Sequence, residues 1–163
     1  MYRIAFAPAV AFTLLVSATA GAQDSVNTSD VPHVMAAFHE AVVHHDGARL
    51  AALFIPEGSA WLNVLSDDAY AQARAKSPDA VKVRVGSYKD FAKFVSTTTA
   101  NLDPEHSHVR IQSDGTIASV YFDFVFFSDG TPNNRGHETW QLVKGPDGWR
   151  IAAITYSSEG RHS

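Results

Sequence analysis

The chain has 163 residues, enough for one domain, and its 45% hydrophobic and 18% charged content is that of a folded protein with a packed core. Its 13 basic and 17 acidic residues give a formal net charge of −4, which excludes a basic stripe for nucleic acid or anionic lipid. It has no cysteine, which excludes disulfides, thiolate metal sites and a cysteine nucleophile.

Residues 1–22 read as a secretory signal peptide. Arg3 supplies the early positive charge, Ala5–Ala20 is apolar or small, and small-x-small sites follow at Ala18-Thr-Ala20 and Ala20-Gly-Ala22. A membrane anchor is the other reading, but the run is short and broken by Pro8, and a span needs about 20 residues. Cleavage before Gln23 removes one Arg and no acid, leaving 12 basic and 17 acidic residues, a net charge of −5. The expected location is a bacterial periplasm or the exterior, with no membrane insertion after cleavage. Residues 23–29 are polar and expected as a disordered lead-in, 30–158 as the folded domain and 159–163 as a tail.

Asp30 is an N-cap, Pro32 is tolerated in the first turn, and Val34, Met35, Phe38, Ala41 and Val42 form one helical stripe. Asp46 caps a short second helix that sends Leu50, Leu53 and Phe54 inward; Pro56 and Gly58 stop it. Ser59–Leu65 reads as a strand with Trp61 and Asn63 on one face. Asp67–Lys76 is a polar helix, Ser77-Pro78-Asp79 a break and Val81–Val85 a short strand, and this whole segment can serve as a lid over a pocket. Gly86 precedes a capping box, Ser87-x-x-Asp90, and a third main helix with Phe91, Phe94, Val95, Thr98 and Leu102 on one stripe. Antiparallel strands follow over Ser107–Gln112, Ile117–Phe127, His137–Lys144 and Trp149–Ser158, separated by Gly-rich turns. Helices first and a meander after them predict an α+β fold, with helices on one face of a curved antiparallel sheet.

This ordered set resembles the NTF2-like superfamily, nearest to its SnoaL-like and DUF4440-type branches. The resemblance rests on a helix, a short helix ending Leu53-Phe54, a strand, Gly86 before a helix, and strands closing on Gly148-Trp149-Arg150-Ile151 with a terminal Tyr156-Ser157. It spans about Pro32 to Ser158 and implies a cone-shaped sheet wrapped around about three helices, with a pocket between them and frequently a homodimer. The superfamily includes ketosteroid isomerase, scytalone dehydratase, polyketide cyclases and limonene-type epoxide hydrolase, so the fold does not name the chemistry. Ketosteroid isomerase-like members need an acidic base on the first strand, where Asn63 stands here, and no Tyr lies in the first helix.

Pairing then predicts which side chains face the cone. A two-residue turn at Asp114-Gly115 sets Ser107 opposite Phe122 on the apolar side, with His106 opposite Asp123 and His108 opposite Tyr121 on the other. Opposing Lys144 and Trp149 puts Trp140 and Leu142 on the Phe122/Phe124/Phe126 face and sets Glu138 opposite Thr155. A carboxylate in an apolar cavity has a raised pKa and can act as a general acid or base, whereas one at the mouth stays solvated. The expected catalytic pair is therefore Glu138 with Asn63. The expected ligand-binding set is Trp61, Phe91, Phe94, Ser107, Phe122, Phe124, Trp140 and Thr155.

His106-Ser-His108 beside Asp123 has zinc-ligand chemistry, but no spacing fixes a third ligand, and His33, Glu40 and His44 on one helix share that weakness. These histidines read as exposed or interface residues and no metal is expected. The reverse face, carrying Tyr121, Val125, Phe127, Val143, Ile154 and Tyr156, is too apolar for a solvated one and predicts a symmetric homodimer through the sheet. No P-loop, dinucleotide motif or nucleophile–base pair occurs, so no cofactor is expected. Three functions stay open: a pocket that binds a small apolar molecule in an accessory role, a cofactor-free lyase, isomerase, cyclase or hydrolase using Glu138 with Asn63 (or His108 under the opposite parity), and an interaction module with a collapsed cone.

Overall fold

The computed structural model describes residues 26–56 and 58–159. The expected signal peptide, the first residues of the lead-in and most of the tail lie outside the described residues. Helices α1 (Val31–Val43), α2 (Gly47–Ala51), α3 (Asp67–Lys76) and α4 (Tyr88–Thr97) accompany strands β1 (Ala60–Leu65), β2 (Val83–Val85), β3 (Leu102–Ser113), β4 (Ile117–Ser128), β5 (Thr131–Gly145) and β6 (Gly148–Ser158). The strands form one six-stranded sheet in the order β2-β1-β6-β5-β4-β3. The sheet is mixed rather than wholly antiparallel, because β1 runs parallel to β6, with Trp61 beside Ile154 and Asn63 beside Tyr156. A chain that forms β1 before its helix and meander can return beside β1 in the same direction, as a crossover connection allows.

Local chemistry sets the helix starts. The Asp30 carboxylate accepts from the His33 amide, and Asp46 accepts from that of Arg49. Ser87 accepts from the Lys89 amide rather than from Asp90, so the expected capping box is a simple Ser cap. The apolar stripe of α1 packs on the concave face of the sheet, with the Phe38 ring 5.0 Å from that of Trp140 and 6.1 Å from that of Phe91. Phe54 stacks on Tyr88 at 4.6 Å behind it. The core so formed is continuous from α1 and α2 through α4 to β4, β5 and β6.

Residues 26–29 are not loose. Thr28 is only 5% exposed, its carbonyl accepts from the Trp149 amide at 2.9 Å, and its hydroxyl accepts from Arg150 at 2.8 Å. The folded domain therefore begins a few residues before the Asp30 cap, pinned onto the β5–β6 turn.

Two bulges decide which way the strands point. On β3 the register shifts between Ser107 and Arg110, where His108 takes the left-handed φ of 51°. On the turn side of that bulge Ile111 faces Val120; beyond it His106 faces Phe124 and Pro104 faces Phe126. The hairpin turn is also wider than two residues, since the Asp114 carboxylate accepts from the amides of both Thr116 and Ile117, and Ser113 pairs with Ala118. On β6, Leu142 pairs with Ile151 and Gln141 with Ala153, leaving Ala152 as the extra residue. Each bulge reverses the side-chain alternation for the rest of its strand. Among the described residues no helix is long and apolar enough to cross a membrane.

Candidate functional site

A cavity of about 630 Å³ opens between α4 and the concave face of the sheet. Its size is that of a small-molecule site. Trp61 and Asn63 reach it from β1, Phe91 and Phe94 from α4, Phe124 and Phe126 from β4, Glu138 from β5 and Tyr156 from β6. The cone is thus not filled by its own aromatic side chains. The α3 helix contributes no wall residue, so the segment expected as a lid, Ser66–Val85, reaches the cavity only through Arg84 of β2.

Glu138 stands where pairing put it, on the concave side, opposite Phe122 of β4. Its partner on β6 is Tyr156 rather than Thr155. One carboxylate oxygen accepts from the Trp140 indole N–H at 2.6 Å. Burial pushes the carboxyl up to about 7, only partly offset by that hydrogen bond. Burial, helped by the Glu138 charge, likewise raises the Tyr156 phenol, while hydrogen bonds with Trp61 and Asn63 and the Arg84 charge pull it back. At neutral pH the pocket therefore holds a carboxyl poised between its two forms beside a neutral phenol.

His106 is the group that strand parity missed. Expected on the outer face, it enters the pocket wall because the β3 bulge turns it inward. Its ring centre lies 4.6 Å from that of Phe122 and 5.9 Å from that of Trp140. Burial, helped by the charge of nearby His39, lowers it to about 4. It also borders a shallow outer groove with Met35, His39 and Val109, so its ring is the partition between the two spaces.

Four of the expected ligand-binding residues stand elsewhere. Ser107 and Thr155 face outward, each displaced by the bulge on its own strand; Ser107 pairs with Asp123 and Thr155 with Thr139. Phe122 and Trp140 are on the concave side but wholly buried, Trp140 against Phe38 and Phe122 against Trp140, so they support the wall without lining it. Ile154 and Tyr156, expected on the outer face, are core and pocket residues respectively. The alternation along β6 carries no signal that Ala152 is the extra residue. Gly86 makes the pocket floor possible, since a Cβ there would lie 2.7 Å from the Trp61 ring.

The outer face carries a different cluster. Asp123 accepts from His108 Nδ1 at 2.8 Å and from His137 Nδ1 at 2.7 Å, and Tyr121 stacks on the His137 ring. These hydrogen bonds, that from His108 foremost, hold the Asp123 carboxyl below its usual value. The His106/His108 pair does not form, since the two rings lie on opposite sides of the sheet. On α1, His33 is taken by Asp30 and Glu40 by Arg49. Among the described residues no group of three His, Asp or Glu side chains could hold a metal ion.

The fold is shared with known structures. An NTF2-like protein of unknown function from Shewanella baltica superposes with a TM-score of 0.54 at 16% identity, over 78% of this chain and 89% of that one. The fold is NTF2-like. A Streptomyces avermitilis member of the NTF2-like family to which dehydratase activity has been ascribed matches with a TM-score of 0.55 at 19% identity, over 77% and 90% of the two chains. A Novosphingobium aromaticivorans protein ascribed as a scytalone dehydratase gives 0.53 at 17% identity, over 78% and 80%. No family model and no curated protein matches the chain. At these identities the likeness is one of fold, and an NTF2-like cone hosts many chemistries.

Proposed function

We propose that this chain is an exported NTF2-like domain that holds a small, largely apolar molecule in its cone, in an accessory rather than catalytic role. The open cavity of about 630 Å³, aromatic along its walls and polar at one end, carries this reading. The signal-peptide pattern of residues 1–22 supports export to a bacterial periplasm or exterior. Exposed Ile117, Tyr121 and Val85 on the convex side support a homodimer through the sheet, which sedimentation at micromolar concentration checks; a monomer there counts against it. Native mass spectrometry of protein purified from its producing cells tests the binding reading. A bound species released on denaturation is expected, and a bare chain in every charge state contradicts it.

One observation favours a second reading, a cofactor-free lyase or isomerase. Glu138, held at about 7 next to Tyr156, has the acidity of a general acid or base working near neutral pH. The dehydratase activity ascribed to two neighbours belongs to the same class of proton transfers. Exchange of the α-protons of 2-tetralone in heavy water, followed by NMR, tests it. Acceleration that disappears in Glu138→Gln supports catalysis, and no acceleration leaves the accessory role.

A further inference from the structure

We infer that the inner end of the pocket selects a protonated amine: a small, largely apolar ammonium whose charge meets Glu138 among the rings of Trp61, Tyr156 and Phe124. The inference rests on the binding reading above and adds the class of ligand to it.

The first observation is an unfilled acceptor. Trp140 takes one oxygen of Glu138 at 2.6 Å, and among the described residues no protein group donates to the other. Glu138 is half-buried and lines the cavity, so this oxygen is open to a donor brought by a ligand, and a hydrogen bond to a partly desolvated carboxylate is worth more than one to a fully solvated carboxylate. The second is the sign of the charge available. The other titratable groups facing the cavity are His106 from β3, Tyr156 from β6, Asp90 from α4 and Arg84 from β2. His106 is packed against Phe122 and Trp140 as a neutral imidazole, and Tyr156 is a neutral phenol. Arg84 stands on the exposed edge strand β2, from which its charge reaches Tyr156, and Asp90 lines the cavity from α4. The cavity therefore offers two carboxyls, Glu138 and Asp90, against the single cation of Arg84.

The third observation is the ring geometry. Trp61 lies 5.2 Å from Phe91 and edge-on to Tyr156 at 6.3 Å, and Tyr156 lies edge-on to Phe124 at 5.8 Å. All four rings line the cavity beside Glu138, and aromatic faces carry partial negative charge that attracts a cation within about 6 Å of the ring centre. Carboxylate and rings therefore act in the same direction. A ligand carboxylate would meet Glu138 as a like charge, and an alcohol would gain the hydrogen bond without the charge.

Calorimetric titration of the unmodified protein with phenethylamine, phenethyl alcohol and 3-phenylpropanoate at pH 6 and pH 8 tests the inference. The amine is expected to bind at least tenfold more tightly than the other two at pH 8. Its affinity should fall about tenfold on going to pH 6, as the proton returns to a carboxyl that titrates near 7. Glu138→Gln should remove both the preference and the pH dependence. An alcohol or propanoate that binds as tightly as the amine, or an amine affinity indifferent to pH, overturns the inference while leaving the pocket a small-molecule site. If none of the three binds, the binding reading falls and the inference with it.

Discussion

Asp123 and Glu138 sit on adjacent strands of one sheet, yet they are opposite kinds of acid. Asp123 faces solvent with two imidazoles donating to it and is held below the usual carboxylate range. Glu138 faces the cone with a single indole donor and is pushed up to about 7. The strand partner of Asp123 is His137, the residue immediately before Glu138, so one step along β5 separates the two environments. The difference shows that in this fold the side of the sheet, more than residue type, sets the chemistry of a carboxyl. The inner face spends burial on making a poised group; the outer face spends hydrogen bonds on keeping one ionised.

The comparison can be broken most forcefully from beneath. Trp140 is fully buried and is the donor to Glu138, so Trp140→Ala should cost about 3–5 kcal/mol in urea unfolding. A loss below about 1 kcal/mol would mean that the inner face is not packed as described.

The pH dependence of stability separates the two inner groups. Glu138 resists ionisation in the folded chain, so its contribution to stability is full below its ordinary value of 4.5 and is lost as pH rises through about 7. His106 resists protonation, so its contribution is full above its ordinary value of 6.5 and is lost as pH falls through about 4. The two slopes oppose each other between the ordinary values and largely cancel. In chemical denaturation across this range Glu138→Gln should leave a stability that rises with pH, and His106→Gln one that falls. Each change is on the order of 2–3 kcal/mol. Flat profiles in both variants would show that neither group is dry.

A third substitution acts on the pocket floor alone. Gly86→Ala puts a methyl group against the Trp61 ring and should cost about 1–3 kcal/mol while reducing ligand uptake, read by thermal denaturation and calorimetry together. The smallest effect belongs to the outer cluster. Asp123→Asn should leave urea unfolding at pH 7 nearly unchanged, because its partners are exposed. The Asp123 carboxyl resonance should titrate below its ordinary value of 3.8 and move back up in the double variant His108→Gln/His137→Gln.

Much of this was legible in the sequence. The alternation of Ala118, Val120, Phe122 and Phe124 announced the concave face, the caps Asp30, Asp46 and Ser87 mark their helices, and the parity of β5 put Glu138 inside. Strand β3 came out longer than expected, because Pro104 argues against a central strand while β3 is an edge, where proline is tolerated. The candidate site was only half legible. Its β1, α4 and β5 members were named, but Tyr156 and His106 were placed on the wrong side. A bulge is one residue of irregularity that leaves the alternating pattern intact on both sides of it, so pattern reading carries the error to the end of the strand. At Ile117–Ser128, where no bulge interrupts the first ten residues, the inward and outward sets came out as read.

The central claim is that the bulges on β3 and β6 enclose Glu138 in a dry, open pocket. A carbon-13 NMR titration of the Glu138 carboxyl measures this most directly. A midpoint close to 7, moving further up in Trp140→Phe as the indole donor is lost, is the result a dry pocket requires. A midpoint near the ordinary 4.5, unchanged by that substitution, would mean that Glu138 is solvated and that the poised site does not exist.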